Sequence, residues 1–331
     1  MIQYVSLTDY LEILESALAE LKNTTLKKLT DLNTEFSDDG GTYFGELNIR
    51  EAPDGIGMFY YNDDCVYVGA FKEGLPDGFG KLKWPNGTTY TGEFIRGNQS
   101  GNGQMEWPDG TIYFGQWLDN LQNGTGMEIH SSGTQYSGNW LNGSPHGFGT
   151  KITDAYTYSG EWKFNQQDGR GKMVWKDGSF YEGQWRSGLQ NGFGSYTDDE
   201  GAVYVGEWIA GHPNGQGRNI FADGSIYIGE WKNRVQHGSG TMTWPDGDHY
   251  TGDFIDGVAT GIGIFSNVSE KFVYHGEFVN WDMTGNGTIL YHNGAKYIGE
   301  VLEAKPNGQG TLYNNDGSEK FGFWIDGQLI L

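Results

Sequence analysis

The chain has 331 residues, of which 55 are glycine and only 36% are apolar, a composition that disfavours one large packed core and favours a repetitive architecture. Its formal net charge of −22 opposes binding to nucleic acid and to anionic lipid, which call for clustered Lys and Arg, and favours basic partners. Cys65 is the only cysteine, so an intramolecular disulfide is excluded and a reducing compartment is expected.

Residues 1–36 are predicted to form a short amphipathic helical segment. Its leucines recur at helical spacing with acids between them: Leu7, Leu11, Leu14, Leu18 and Leu21 with Glu12, Glu15 and Glu20. Three roles remain open for this segment. It could cap the first strand edge of the array that follows, or bind a partner directly or as a short coiled coil. It could also contact a membrane, a role that its acidic polar face disfavours.

A repeat array is predicted for residues 43–331, after a linker at 37–42 that is rich in Asp and Gly. From Tyr43 onward the pattern Tyr-x-Gly recurs every 23 residues, and the spacing changes to 22 or 24 only three times. The array holds twelve full copies and a C-terminal half copy. A period this strict predicts units that pack on their neighbours instead of forming one globular core.

Each repeat is predicted to be a β-hairpin. In the copy that begins at Tyr204, Gly206 and Trp208 share the face of that tyrosine, and a period of two indicates a strand. A Gly- and Pro-rich turn follows, and after it a Gly-x-Gly pair precedes a second alternation, as in Met242 and Trp244. Successive hairpins joined by short turns predict an elongated single-layer antiparallel β-meander, roughly 120 Å long at 4.8 Å per strand.

The glycine column has a predicted structural role. Glycine between Tyr and Trp leaves room on that face, so we expect aromatic rings to lie over the backbone and stack in a row. Together the motifs Tyr-x-Gly-x-Trp and Gly-x-Gly resemble the MORN repeat family from about residue 43 to 331. The resemblance implies a β-ribbon with a groove along one face. It also implies that the protein acts as a scaffold, membrane-associated tether or partner-binding module.

Two candidate partner surfaces follow from the repeat. The central part of the aromatic row is predicted to form a partner-binding groove: Tyr136, Trp140, Tyr158, Trp162, Tyr181, Trp185, Tyr204, Trp208, Tyr227 and Trp231. The residue after each motif glycine is acidic in most copies and lies on the other face, as in Glu161, Glu207, Glu230 and Asp253. This column is either a solvated acidic face or a docking stripe for a basic helix.

The C-terminal edge is a third candidate surface, because its last strand has no successor to cover it. We expect this edge to pair with a second copy, giving a homodimer, or with a strand or helix of a partner. The residues assigned to it are Trp281, Phe321, Phe323, Trp324, Leu329 and Ile330. Trp281 occupies a turn position that normally holds glycine, and it is interpreted as a lid on its neighbour or as a binding anchor.

Catalysis is not expected. Neighbouring acids of the stripe would lie near 10 Å apart, too far for paired-carboxylate chemistry or a shared metal. The seven histidines lack ligand spacing, and no phosphate-binding motif or nucleophile context is present. We therefore expect no catalytic, metal-binding or cofactor-binding residues.

The sequence favours a non-catalytic scaffold in the cytoplasm, since no stretch reaches the roughly 20 apolar residues of a membrane span. By family resemblance, its setting would be a cytoskeletal or ciliary (axonemal) assembly. The alternatives are a tether that binds phosphoinositides at a membrane, which the charge disfavours, and a regulatory subunit of a separately encoded enzyme.

Overall fold

The computed structural model describes residues 35–38 and 40–330, with side chains from residue 40 onward. Every regular element in these ranges is a β-strand. The helix predicted within residues 1–36 lies outside the described residues, except at its last two positions. Contacts between Cα atoms divide the chain into two compact units, residues 1–166 and 167–331.

The first unit is an open antiparallel meander in which each strand pairs with the strands before and after it in sequence. Its strands are β1 (Glu35–Asp38), β2 (Gly41–Leu47), β3 (Pro53–Tyr61), β4 (Val66–Lys72), β5 (Leu75–Lys83), β6 (Thr89–Ile95), β7 (Asn98–Glu106), β8 (Ile112–Leu118), β9 (Leu121–Ile129), β10 (Gln135–Leu141), β11 (Ser144–Ile152) and β12 (Tyr156–Lys163).

The second unit repeats this arrangement, and within each unit the predicted single-layer meander is confirmed. Its strands are β13 (Gln166–Trp175), β14 (Phe180–Arg186), β15 (Leu189–Thr197), β16 (Val203–Ile209), β17 (His212–Ile220), β18 (Ile226–Lys232), β19 (Val235–Thr243), β20 (His249–Ile255), β21 (Val258–Asn267), β22 (Phe272–Val279), β23 (Asp282–Tyr291), β24 (Lys296–Leu302), β25 (Lys305–Tyr313), β26 (Glu319–Ile325) and β27 (Gln328–Leu329).

Strand β1 differs from the prediction for its residues. Glu35–Asp38 were expected to end the helical segment and begin the linker, but they pair with β2, with Asp38 opposite Gly41. The strand covers part of the outer edge of β2, which would otherwise present unpaired backbone groups.

A β-bulge recurs in the hairpin of nearly every repeat. In β16 and β17, Gly206 pairs with Gly217, but Trp208 pairs with Pro213, so the register shifts around Glu207. The same shift between the motif glycine and the aromatic position occurs in the hairpins of both units. A bulge releases backbone groups from the ladder of hydrogen bonds, and those groups need other partners.

The motif side chains provide these partners. The hydroxyl of Tyr204 donates to the carbonyl of Glu207 (2.9 Å), and the carboxylate of Glu207 accepts from the backbone N–H of Gln216 (3.1 Å). Trp208 Nε1 donates to the carbonyl of Gly194 in the preceding hairpin (3.3 Å). Through these side-chain hydrogen bonds, each repeat stabilises its own bulge and is joined to the preceding repeat.

Glycine makes room for the tyrosine ring, as the sequence predicted. A Cβ on Gly206 would lie 2.5 Å from the Tyr204 hydroxyl, and one on Gly217 would lie 2.4 Å from it. The ring therefore lies flat across the glycines of two strands. Trp208 then packs edge-to-face against Tyr204 (5.3 Å between centroids) and against Tyr181 of the preceding repeat (5.0 Å). This aromatic row, on what we call the aromatic face, is the core of each unit.

Candidate partner-binding surfaces

The residues predicted to form the groove are the buried floor of the aromatic face. In the first unit these are Tyr136, Trp140, Tyr158 and Trp162; in the second they are Tyr181, Trp185, Tyr204, Trp208, Tyr227 and Trp231. None is more than 7% exposed. These rings cover one another's faces and edges. A molecule bound on this face would therefore mostly contact the residues that flank the row.

An aromatic shelf flanks the row and was not among the predicted site residues. Its half-buried rings are Trp84 and Trp107 in the first unit, and Trp175, Phe221 and Trp244 in the second. Each ring lies two residues after a residue that pairs with a row tyrosine. Met242, for example, pairs with Tyr227, and Trp244 follows two residues later. Because side chains two residues apart in a strand share a face, the shelf lies on the aromatic face. An aromatic residue recurring just before the turn between strands was the sequence signal that could have identified the shelf.

Aspartates in the turns border the shelf. In the turn after Trp107, the Asp109 carboxylate accepts the backbone N–H of Thr111 (2.8 Å), which lowers the pKa of Asp109. In the turn after Trp175, the hydroxyl and N–H of Ser179 likewise lower the pKa of Asp177. Asp223 and Asp246 accept equivalent N–H bonds in the turns after Phe221 and Trp244. The shelf is therefore apolar with a negative border.

The acidic stripe lies on the opposite face and is exposed, with Glu161 in the first unit and Glu207, Glu230 and Asp253 in the second. Its oxygens hold the bulges: Glu230, like Glu207, accepts a backbone N–H nine residues later (3.3 Å). Gln116 and Gln184 make the same bond at 2.8 Å without a charge. The column therefore needs an oxygen acceptor, and a docking role for its charges remains a prediction.

The C-terminal edge is exposed over much of its length. Strand β27 pairs with β26 at Trp324 and Ile325, and the N–H of Ile330 donates to the carbonyl of Phe323 (2.9 Å). The side chains of Phe321, Phe323, Leu329 and Ile330 are exposed. Trp324 itself is buried and donates Nε1 to the carbonyl of Gly310 (3.1 Å).

Trp281, which was assigned to the same edge, lies elsewhere, over three other rings of the aromatic face. Its centroid is 5.5 Å from that of Tyr250, 5.7 Å from that of Phe254 and 5.6 Å from that of Trp244. These are the contacts of a lid on its neighbours, one of the two interpretations drawn from the sequence.

The described residues hold neither a metal-binding cluster nor a membrane-spanning helix. Between residues 40 and 330, no group of three or more His, Cys, Asp or Glu side chains is placed to hold a metal ion. In the same part of the chain, no helix has the length and apolar character needed to cross a membrane.

Comparison with solved structures finds only weak similarity, as three examples illustrate. The TCP10 domain of Danio rerio CPAP in complex with a Danio rerio STIL peptide is 12% identical, with 76% of this chain and 97% of that chain covered and a TM-score of 0.28. The SAS-4 (dCPAP) TCP domain with a proline-rich motif of Ana2 (dSTIL) from Drosophila melanogaster is 11% identical, covering 63% and 98%, with a TM-score of 0.24. Streptogramin B lyase is 12% identical, covering 88% and 82%, with a TM-score of 0.14. Scores this low do not establish a shared fold.

Sequence comparison is more specific. No curated protein matches the chain. The sequence profile of the MORN repeat matches ten segments: residues 67–89, 90–112, 113–135, 136–153, 158–180, 181–203, 204–226, 227–249, 250–268 and 297–319. These segments cover more than half of the chain, and they coincide with the hairpins that carry the aromatic row. The chain therefore belongs to the MORN repeat family.

Proposed function

We propose that this protein is a non-catalytic scaffold that binds a basic segment of a partner protein on its aromatic face. The observation that carries the proposal is the aromatic shelf with its border of aspartates. Membership in the MORN repeat family supports a cytoskeletal or ciliary assembly in the cytoplasm as the setting.

The shelf determines the chemistry of the partner. A half-buried indole such as Trp175 is partly open to solvent. Arg or Lys side chains bind indole faces by about 0.5–1 kcal/mol each at exposed sites. Asp177, two residues later in the turn, offers an anionic acceptor for the same partner segment. Trp244 with Asp246 repeats the combination within the second unit. A segment with spaced basic residues could therefore bind several repeats at once, and its affinity would rise with the number of repeats bound.

The test begins with the full chain, cross-linked in extract from its native source, and with the cross-linked segment of the partner identified by mass spectrometry. A synthetic peptide of that segment is then titrated calorimetrically against three forms of the chain: wild type, Trp175→Ala/Trp244→Ala, and Phe148→Ala/Phe193→Ala. The last variant removes two exposed rings from the opposite face and is the matched control.

We expect the shelf variant to weaken binding by roughly tenfold or more, since aromatic anchors dominate such interfaces. The control should bind like the wild type. The reverse pattern would move the site to the opposite face. Salt-sensitive flotation of the wild-type chain with phosphoinositide liposomes would favour the tether instead. Stoichiometric co-purification with a kinase or methyltransferase would favour the regulatory subunit.

A further inference from the structure

Part of the opposite face of the first unit is covered, although each unit is a single sheet. On this face, between the motif tyrosine and glycine, Thr91 is 7% exposed and Phe114 is 8% exposed. At the same position in repeats of the second unit, Ile228 is 54% exposed and Ile298 is 43% exposed. Equivalent backbone positions thus differ several-fold in exposure, and the sheet alone does not explain the difference.

The strands beside Phe114 are too small a cover for its ring. Phe114 pairs with Gln104 on one side and Met127 on the other. Phe148 and Phe193 lie on the same face with a strand on each side, yet they are 49% and 60% exposed. A phenyl ring on this face can therefore stay about half exposed between two strands, and a second layer over Phe114 accounts for its near-complete burial.

We propose that residues 1–34 of this chain form that layer, packing across the opposite face of the first unit over Thr91 and Phe114. The segment has the required pattern, because its leucines recur at a spacing that places them on one side of a helix. Its length also suffices. The chain enters the sheet at β1, beside β2, and β8, which carries Phe114, lies six strand spacings further on, roughly 29 Å. A helix from residue 7 to 21 would span about 22 Å, and the residues after it would bridge the remainder.

The surface has complementary chemistry. Half-buried Ile112, Met127 and Ile129 surround Phe114 and form an apolar patch for the leucines. Lys81 and Lys83, paired with β6 next to Thr91, are exposed on the same face. They can pair with the acids that alternate with the leucines in the segment. Since this layer occupies the opposite face, the aromatic face is the one left for a partner in the first unit.

Hydroxyl-radical footprinting of the full chain with mass spectrometry tests the proposal. Leu14→Asp places a carboxylate on the leucine side of the segment, and Ser16→Asp places one on its other side as the matched control. We expect Leu14→Asp to raise oxidation of Phe114 by up to about sixfold, the ratio of the 49% exposure of Phe148 to the 8% of Phe114. Ser16→Asp should leave it unchanged, and Phe193 should be oxidised equally in all samples.

A second measurement, limited proteolysis with trypsin, reports on residues 1–34 directly. Phe114→Glu should speed tryptic cleavage after Lys27 and Lys28, whereas Phe193→Glu should not, and circular dichroism checks that both variants keep the sheet. The proposal would be overturned if Phe114 stays protected from oxidation in Leu14→Asp and if the rate of tryptic cleavage in Phe114→Glu equals that of the wild type. Protection that disappears when the wild-type chain is diluted would also overturn it, because a second copy would then be the cover.

Discussion

At the scale of single residues, the motif side chains bind backbone groups at the bulge and in the preceding hairpin. Tyr204 binds a carbonyl, Glu207 binds an amide N–H, and Trp208 binds a carbonyl of the preceding hairpin. An unpaired backbone group out of contact with water costs about 1–3 kcal/mol, so these bonds hold the bulge in place. The geometry of the repeat therefore depends on hydrogen-bonding capacity as much as on ring size.

Glu207 separates the structural role of the acidic stripe from a docking role. Because Gln184 binds its bulge equally well, Glu207→Gln should change the free energy of unfolding by less than about 0.5 kcal/mol, whereas Glu207→Ala should cost about 1 kcal/mol. Urea denaturation measures both. If Glu207→Gln weakens binding of the partner while stability is unchanged, the charges of the stripe act in docking.

Gly206 tests how closely neighbouring strands approach beneath the tyrosine ring. A Cβ there would lie 2.6 Å from the carbonyl oxygen of Gln216 and 2.6 Å from the Cα of Gly217, both of which are backbone atoms. Gly206→Ala should therefore destabilise the second unit by about 3 kcal/mol through overpacking. Gly178→Ala is the control, since its Cβ would meet nothing within 4 Å and only its positive φ would be strained. If urea denaturation showed that both variants lose the same free energy of unfolding, the close approach of the strands would be contradicted.

At the scale of the element, the aromatic row behaves as one buried array of phenols. Burial raises the pKa of Tyr250, Tyr274 and Tyr297 to about 12. It raises the pKa of Tyr181 and Tyr204 in the same direction. A nearby carboxylate adds to the shift at several of these rings, as Asp253 does at Tyr250. The folded state therefore strongly prefers neutral tyrosine.

The row predicts steep alkaline unfolding. Below pH 10 tyrosine is protonated in both states, so the stability that it contributes is fully present. Above pH 10 the unfolded chain loses protons that the folded chain retains, and stability falls by about 1.4 kcal/mol per pH unit for each such tyrosine. Tyrosinate absorbance and circular dichroism, followed from pH 9 to 13, should change together between about pH 10 and 12. Ionisation of most tyrosines near pH 10 with the sheet intact would contradict the buried row.

The elements were predictable from the sequence to the extent that their signals are local. Alternation around Tyr204, Gly206 and Trp208 predicts a strand, and the small glycine predicts a ring lying over the backbone. The bulge at Glu207 was not predictable, because it depends on a register shift between two strands. Stacking of the rings in a row was predicted. Its consequence, that the rings cover one another and leave little of the row accessible to a partner, was not drawn from the sequence.

At the scale of the whole molecule, the net charge opposes self-association, whereas an open apolar edge favours it. The net charge of −22 makes two copies repel, and this repulsion weakens as salt shortens the Debye length to about 10 Å at 0.1 M. Strand β26 nevertheless presents Phe321 and Phe323 beside a backbone edge that β27 covers only in part. An apolar edge with unpaired backbone groups is a template for pairing with another strand. Self-association through this edge should therefore strengthen as ionic strength rises.

We expect multi-angle light scattering to show the wild-type chain passing from monomer towards dimer between low salt and 0.5 M salt. Phe321→Ser/Phe323→Ser should remain monomeric throughout, because it loses the apolar contact while keeping the charge. Phe148→Ser/Phe193→Ser, which removes two exposed rings away from the edge, should dimerise like the wild type. Removal of residues 321–331 should have the effect of the edge variant. If the edge variant dimerises as readily as the control, association uses another surface, and an apolar β26 would then be available to a strand or helix of the partner.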